Sequence, residues 1–354
     1  MSGGVDSSVA AALLAEAGHE VIGVTLQIWP ADRSSASRHT GCCSLDAVED
    51  ARRVCALLDI PHYVLNFRDL FERTVIRDFV EQYKAGRTPN PCVRCNQWIK
   101  FEALLERAVA LGADRLATGH YARVCFDEGA NRWLLLRSVD PAKDQSYALC
   151  MLTQEQLSRA VFPVGELTKA QTREVAARLG LPVAAKAESQ ELCFVRNGSY
   201  RSFLETWSPE ALRPGPVVDE QGRTLAHHRG IAFYTVGQRK GIGVSARTPL
   251  YVKEIRADTR EVVVGGPDCL YAKRLTADEF NLVSLARLEE PTRVTAKIRY
   301  NMAGAPAVLR PVGGRRVEVE FDEPQRAVTP GQSVVCYQGE RVVGGGIIDA
   351  AVRQ

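Results

Sequence analysis

Ser2-Gly3-Gly4-Val5-Asp6-Ser7-Ser8 is a string built to hold phosphate. Its glycines let backbone amides approach an anion without a Cβ in the way. The serine hydroxyls and the first free amides of a following helix can donate to phosphate oxygens, where the helix dipole also favours negative charge. Asp6 suits a Mg²⁺ ion or a helix cap. A bare Ser-Gly-Gly would read as a capped turn, but the seven-residue string is far more specific. It is not a Walker loop, since no Gly-Lys-Ser/Thr follows.

The other candidate chemistry is that of sulfur. In Thr88-Pro89-Asn90-Pro91-Cys92-Val93-Arg94-Cys95-Asn96 two prolines preset an extended loop that enters a helix. A thiol there, with Arg94 and Lys100 close in sequence, is expected to ionise readily. Cys92 and Cys95 alone would also read as half of a structural zinc site, but no second C-x-x-C pair exists in the chain, and no metal set is assigned. Cys193, in Glu188-Ser189-Gln190-Glu191-Leu192-Cys193-Phe194, is a lone thiol whose default is packing. Ten cysteines is many for a reducing compartment, where metal or catalytic roles outrank structural disulfides. Cys55, Cys125, Cys150, Cys269 and Cys336 sit among apolar neighbours and read as small buried hydrophobes. Adjacent Cys42 and Cys43 follow Gly41 and read as loop residues.

Alternating elements must position these groups. Residues 7–17 read as a helix stopped by Gly18, 20–28 as a strand, 45–58 as a helix and 62–66 as a strand. Residues 69–83 and 97–109 read as helices, and 115–118 as a short strand leading into Gly119 and His120. That alternation predicts an α/β domain, a parallel sheet with helices on both faces, whose ligands bind beyond the carboxyl ends of the strands. After Gly198 turns multiply. From residue 292 short alternating runs recur at 293–300, 307–311, 316–321, 333–337 and 341–348, the pattern of a small β-barrel. Boundaries fall near 190 and 275: a catalytic domain over 1–190, a small central β-rich domain over 191–275 and a C-terminal β-barrel over 276–354.

Composition sets wide bounds. The 354 residues are 45% hydrophobic and 25% charged, and 45 Lys and Arg face 42 Asp and Glu, for a net charge of +3. Such a balance neither demands nor excludes nucleic acid, because a local basic groove can hide within it. No apolar run spans a bilayer and no signal pattern opens the chain, so a cytoplasmic protein with no membrane partner is expected.

The 2–8 string resembles the pyrophosphate loop (PP-loop) of the ATP pyrophosphatase superfamily, whose members activate a substrate oxygen as an adenylate. In that superfamily the loop follows a buried strand, so an apolar strand is expected ahead of Met1. Residues 87–100, together with Thr118-Gly119-His120-Tyr121, Lys143-Asp144-Gln145-Ser146-Tyr147, Phe162-Pro163-Val164-Gly165, Gly237-Gln238-Arg239-Lys240-Gly241 and Thr329-Pro330-Gly331-Gln332, are similar to the tRNA-specific 2-thiouridylases, in order and over essentially the whole chain. The resemblance implies conversion of the wobble uridine of tRNA to 2-thiouridine with ATP and Mg²⁺, and a tRNA-binding role for the central domain. It places Cys95 as nucleophile and Cys193 as persulfide carrier. Ser2, Gly3, Gly4, Val5, Asp6, Ser7, Ser8, Leu26 and Gly119 fall at ATP-contacting positions. Asn90, Pro91 and Cys92 fall at the target base, and His120, Lys143, Asp144, Gln145, Arg299, Tyr300 and Gln332 at tRNA contacts. Many relatives carry an acidic residue where Cys92 stands, so a third thiol is available here. Spacing therefore also admits a [4Fe–4S] cluster on Cys92, Cys95 and Cys193. Lys, Glu and Gln tRNAs, a cysteine desulfurase or sulfur-relay protein and a monomeric state are expected. Two functions compete: another PP-loop ligase acting on a small metabolite, which leaves the thiols idle, and a non-enzymatic RNA-binding or zinc-structured protein, which leaves the phosphate loop idle.

Overall fold

The glycine–serine string runs straight into a helix for local reasons. Gly4 holds extended backbone (φ −103°, ψ 163°), and the Ala- and Leu-rich run after it contains no breaker before Gly18. Helix α1 (Val5–Glu16) stops at Gly18, whose φ of +82° is the left-handed turn that glycine permits. A computed structural model describes residues 1–28, 45–187, 192–195, 200–209 and 212–352. Cys42, Cys43 and residues 188–191 lie outside them.

The chain divides into two compact units. One comprises Met1–Val75, Cys92–Gly198 and Glu340–Val342; the other comprises Ile76–Pro91, Ser199–Gly339 and Val343–Gln354. In the first, β1 (Gly23–Gln27) pairs in parallel with β2 (His62–Asn66), Gly23 opposite His62, and α2 (Leu45–Leu57) connects to β2. Next come β3 (Leu116–Ala117) and an antiparallel hairpin of β4 (Ala122–Asp127) and β5 (Arg132–Arg137). Strand β6 (Ala160–Val161) then returns parallel to β3. The expected parallel sheet is thus present as two parallel pairs. A core of Val5, Val9, Val54, Tyr121, Val164 and Ala176 holds α1 to the helix Lys169–Arg178.

Two expected helices differ in detail. The one over 69–83 divides into Arg68–Phe71, a wider π-helical stretch Glu72–Ile76, and Arg77–Lys84. The one over 97–109 starts at Pro91, where proline's missing N–H costs no helical bond. It turns π-helical over Cys95–Leu104 and closes with Leu105–Ala110. Widened turns of this kind concentrate at functional sites, and Cys95 opens this one. The β4–β5 hairpin was not expected. Its signal is the turn at Gly129 and Asn131, the latter at φ +49°.

The second unit is all-β at its centre. Strands β7 (Gly215–Val218), β8 (Thr224–His228), β9 (Tyr251–Arg256) and β10 (Glu261–Gly265) form one sheet in the order β8-β7-β10-β9, around Val217, Phe233, Val252 and Val262. Strands β11 (Tyr271–Leu282), β12 (Thr292–Lys297), β13 (Ala305–Gly313), β14 (Arg316–Arg326), β15 (Ser333–Gln338) and β16 (Arg341–Val352) follow. They run β11-β14-β13-β12-β15-β16, and β16 pairs back onto β11 to close a six-stranded barrel. Closure leaves no unpaired sheet edge. Leu275, Leu309, Val319, Phe321 and Ile348 fill its interior.

The cysteine reading holds for Cys55, Cys150 and Cys336, which are buried; Cys269 is half-buried. It fails for Cys125, which is exposed because it sits on an outward position of β4. Burial pushes the Cys150 thiol up to about 12, against a smaller opposing effect of the Arg94 charge. Since only the thiolate is nucleophilic, iodoacetamide at neutral pH should modify Cys125 in the folded protein and reach Cys150 only after denaturation. Peptide mass mapping reads both; rapid native labelling of Cys150 would contradict this packing.

Candidate active site

The phosphate string is held as a tight curl at the start of α1. Ser2 N–H donates to Ser7 Oγ (3.1 Å), the two hydroxyls share a hydrogen bond of 3.0 Å, and Ser7 and Ser8 donate to Gly4 O at 3.2 and 2.9 Å. Gly3 sits at φ +66° with Ala47 of α2 so close that a Cβ would stand 2.3 Å from its carbonyl oxygen. Gly119, just past the carboxyl end of β3, lies against the other side, where a Cβ would come within 2.5 Å of Asp6 C and Ser7 N. Leu26 sits near the carboxyl end of β1, half-buried. The loop therefore stands where parallel strands end, the position at which such sheets bind ligands.

Asp6 is the charged centre of the loop. Its Oδ1 accepts from Tyr121 OH at 2.9 Å and from Lys169 Nζ at 2.7 Å, and the same tyrosine donates to Thr172 Oγ1 at 3.0 Å. Lys186 Nζ donates to Gly3 O at 2.9 Å and to Asp50 Oδ2 at 2.6 Å. Tyr121, Lys169, Thr172 and Lys186 were not singled out from the sequence. One signal was legible: Lys169 opens a helix whose Thr168–Gln171 capping box is plain in sequence, and a lysine there opposes the helix dipole.

Cys92, Cys95 and Cys193 all belong to the first unit. Cys92 is exposed, and Cys95 and Cys193 are half-buried. Phe194, next to Cys193, packs edge-on against Phe71 at 5.7 Å. The short helix bearing Phe71 packs on the π-helical stretch that Cys95 opens. Arg94 is buried, 4.7 Å over the Trp98 ring and donating to Gln97 Oε1 at 3.1 Å, and Lys100 Nζ lies 3.5 Å from His120 Nε2. Among the described residues no group of three or more His, Cys, Asp or Glu side chains is placed to hold a metal ion, so Cys92, Cys95 and Cys193 are not gathered as cluster ligands.

The residues matched to RNA contacts have varied surroundings. Asn90 and Pro91 precede Cys92 directly; Pro91 is buried and Asn90 half-buried. Asp144 is buried, its Oδ1 accepting from the amides of Ser138 and Ser146, so its carboxylate faces inward. Gln145 accepts from Tyr121 N–H at 3.0 Å, and neighbouring Lys143 is half-buried. In the second unit Gln332 Nε2 donates to Thr88 O (2.9 Å) and Pro89 O (3.2 Å), fixing the loop before the cysteines. Arg299 and Tyr300 lie just past β12, where Arg299 donates to Arg326 O at 2.7 Å and Tyr300 is exposed.

His120 shares a 2.7 Å hydrogen bond with Thr118 Oγ1 and is flanked by Phe101 and Phe162. That apolar packing, and then the Lys100 charge, hold its pKa well below the usual histidine range. The ring is therefore held in its neutral form.

With this geometry in place, comparison with known proteins gives a consistent result. Residues 1–197 match the family model "tRNA methyl transferase HUP domain", residues 201–266 the "tRNA methyl transferase PRC-barrel domain" and residues 272–348 the "Aminomethyltransferase beta-barrel domain". The fold is thus that of a HUP-domain enzyme with two β domains attached. The tRNA-specific 2-thiouridylase MnmA of Moorella thermoacetica is 55% identical over 353 residues, covering 100% of this chain and 99% of that one. Those of Heliobacterium modesticaldum (55%, covering 98% and 91%) and Acetivibrio thermocellus (53%, covering 98% and 97%) are similar throughout. The chain belongs to the tRNA-specific 2-thiouridylase family.

The His120 shift yields a pH test. Its folded pKa lies below the unfolded value of about 6.5, so the unfolded chain binds the extra proton first as pH falls. The stabilisation is complete above that value and is lost as pH drops towards the folded pKa. Denaturant unfolding at pH 8 and pH 5.5 should show the wild-type advantage over His120→Gln shrinking at the lower pH. A gap that is constant or widens on acidification would contradict a neutral His120.

Proposed function

We propose that this sulfurtransferase makes 2-thiouridine at the wobble position of tRNA by adenylating the uridine and then delivering sulfur from a cysteine persulfide. The observation that carries the reading is a phosphate loop assembled at the start of α1 in the same compact unit as Cys95 and Cys193. The uridine O2 attacks the α-phosphate of ATP, pyrophosphate leaves, and a poor leaving group becomes AMP. Amides and hydroxyls of residues 2–8 bind the phosphates, and Gly119 and Leu26 border the nucleotide. Asp6 would hold a Mg²⁺ ion, which would neutralise charge developing on the phosphates.

Sulfur comes from a donor protein of the desulfurase or relay class, which loads Cys193 as a persulfide. The terminal sulfur attacks C2 and AMP departs. Cys95 attacks the sulfur of Cys193, cleaving the S–S bond, and the Cys95–Cys193 disulfide so formed is reopened by two electrons from cellular thiols. Asn90, Pro91 and Cys92 hold the base. His120, Lys143, Gln145, Arg299, Tyr300 and Gln332 serve the RNA, with Arg299 at phosphate and Tyr300 as a stacking face. Asp144 serves indirectly, by shaping the backbone that carries Lys143 and Gln145. Domain limits near 190 and 275, a cytoplasmic monomer and Lys, Glu and Gln acceptor tRNAs complete the reading. Among the described residues no helix is long and apolar enough to cross a membrane.

The persulfide route is preferred to a [4Fe–4S] route because the three thiols do not form a ligand group among the described residues. Nucleoside mass spectrometry of tRNA should find 2-thiouridine with the wild type and essentially none with Cys95→Ser or Cys193→Ser, while tRNA-dependent pyrophosphate release persists. Normal thiolation by either variant would sink the scheme. A broad visible band in anaerobically purified protein would transfer it to the cluster, and pyrophosphate release driven by a small metabolite instead of tRNA would make it another ligase.

A further inference from the structure

A polyanionic nucleotide needs cations, and the loop supplies none of its own. In a Walker loop a lysine inside the motif reaches the phosphates. Between residues 2 and 8 there is no Lys or Arg, and Asp6 adds negative charge. Two lysines more than 160 residues downstream reach this loop instead. Lys169 Nζ lies 2.7 Å from Asp6 Oδ1, and Lys186 Nζ 2.9 Å from the Gly3 carbonyl oxygen.

Each lysine is placed for a reason that packing alone does not give. Lys169 is the first residue of its helix, with no acidic residue in the first turn, so its charge opposes the dipole. Its side chain is only 12% exposed and lies 5.6 Å over the Tyr121 ring, which also donates to Asp6. Lys186 is held from two sides, by the loop carbonyl and by Asp50 at 2.6 Å on α2. Both ammonium groups are thus poised at the loop by oxygen atoms that compete with phosphate for them.

We propose that Lys169 and Lys186 are the phosphate-binding cations of this site, exchanging their bonds to Asp6 and to Gly3 O for oxygens of the ATP β- and γ-phosphates. The exchange releases Asp6 to Mg²⁺, so one event supplies cation and metal ligand together. The inference rests on the ATP reading above.

The test is calorimetric titration of the full-length protein with Mg-pyrophosphate, Mg-ATP and adenosine, comparing wild type, Lys169→Met, Lys169→Arg and Lys186→Met. A charge-assisted hydrogen bond is worth enough that each Met variant should lose about tenfold or more in Mg-pyrophosphate affinity. Lys169→Arg should recover part of it, and adenosine binding should change little. Met variants that bind Mg-pyrophosphate like the wild type would overturn the proposal and leave the ATP reading intact. A wild type that binds no Mg-ATP would overturn both. Acetylation of Lys186 in the wild type avoids any folding defect of the variants. Mg-pyrophosphate should suppress its modification several-fold and adenosine should not, whereas equal modification with and without pyrophosphate would count against the assignment.

Discussion

The site depends on how closely three stretches of backbone approach one another around the phosphate string. Gly3 meets Ala47 of α2, and Gly119 meets the peptide of Asp6 and Ser7, at separations that leave no room for a Cβ. Packing of this kind fixes the loop before any ligand arrives, so the amides at the start of α1 need little reorganisation to receive phosphate. Preorganisation is the main way in which protein dipoles stabilise developing charge. The hydroxyls of Ser2 and Ser7, bonded to each other, and the carboxylate of Asp6, bonded to Tyr121 and Lys169, complete the loop with side chains held by exchangeable partners.

The stretches that carry Cys95 and Cys193 are joined by aromatic and helical contacts. Phe194, next to Cys193 in the chain, packs edge-on against Phe71, and the Phe71 helix packs on the widened helix opened by Cys95. Within the second unit a separate set of bonds holds residues 88 and 89. Gln332 holds the carbonyls of Thr88 and Pro89, Thr88 N–H donates to Pro330 O at 2.8 Å, and Gly331 at φ +90° lets the two strings lie together. The Thr-Pro-Gly-Gln motif is therefore a clamp on the loop that precedes the cysteines, whatever else it does when RNA is bound.

Much of this was legible in sequence because it is local. Ser2 to Ser8 before an Ala-rich run, Pro91 opening a helix, and alternating strands after residue 292 each declare their structure within a few residues. What escaped was set by distance along the chain or by side-chain direction. Lys169 and Lys186 reach the loop only through the fold. Arg94 lies over the Trp98 ring and Lys100 beside His120, neighbours that sequence spacing does not announce. Asp144 is matched by resemblance to a tRNA contact, yet its carboxylate serves two backbone amides, and Cys125 reads as buried although β4 turns it outward. Periodicity says which residues alternate but not which face of a two-stranded hairpin meets solvent.

The central claim, that close backbone packing at Gly119 builds the nucleotide site, is tested most directly by Gly119→Ala. Calorimetric titration of the purified variant with Mg-ATP, beside a thermal melt to verify folding, measures it. The account predicts a folded protein with Mg-ATP affinity reduced by about tenfold or more, since the added methyl must displace the Asp6–Ser7 peptide. A folded Gly119→Ala protein that binds Mg-ATP as tightly as the wild type would contradict it.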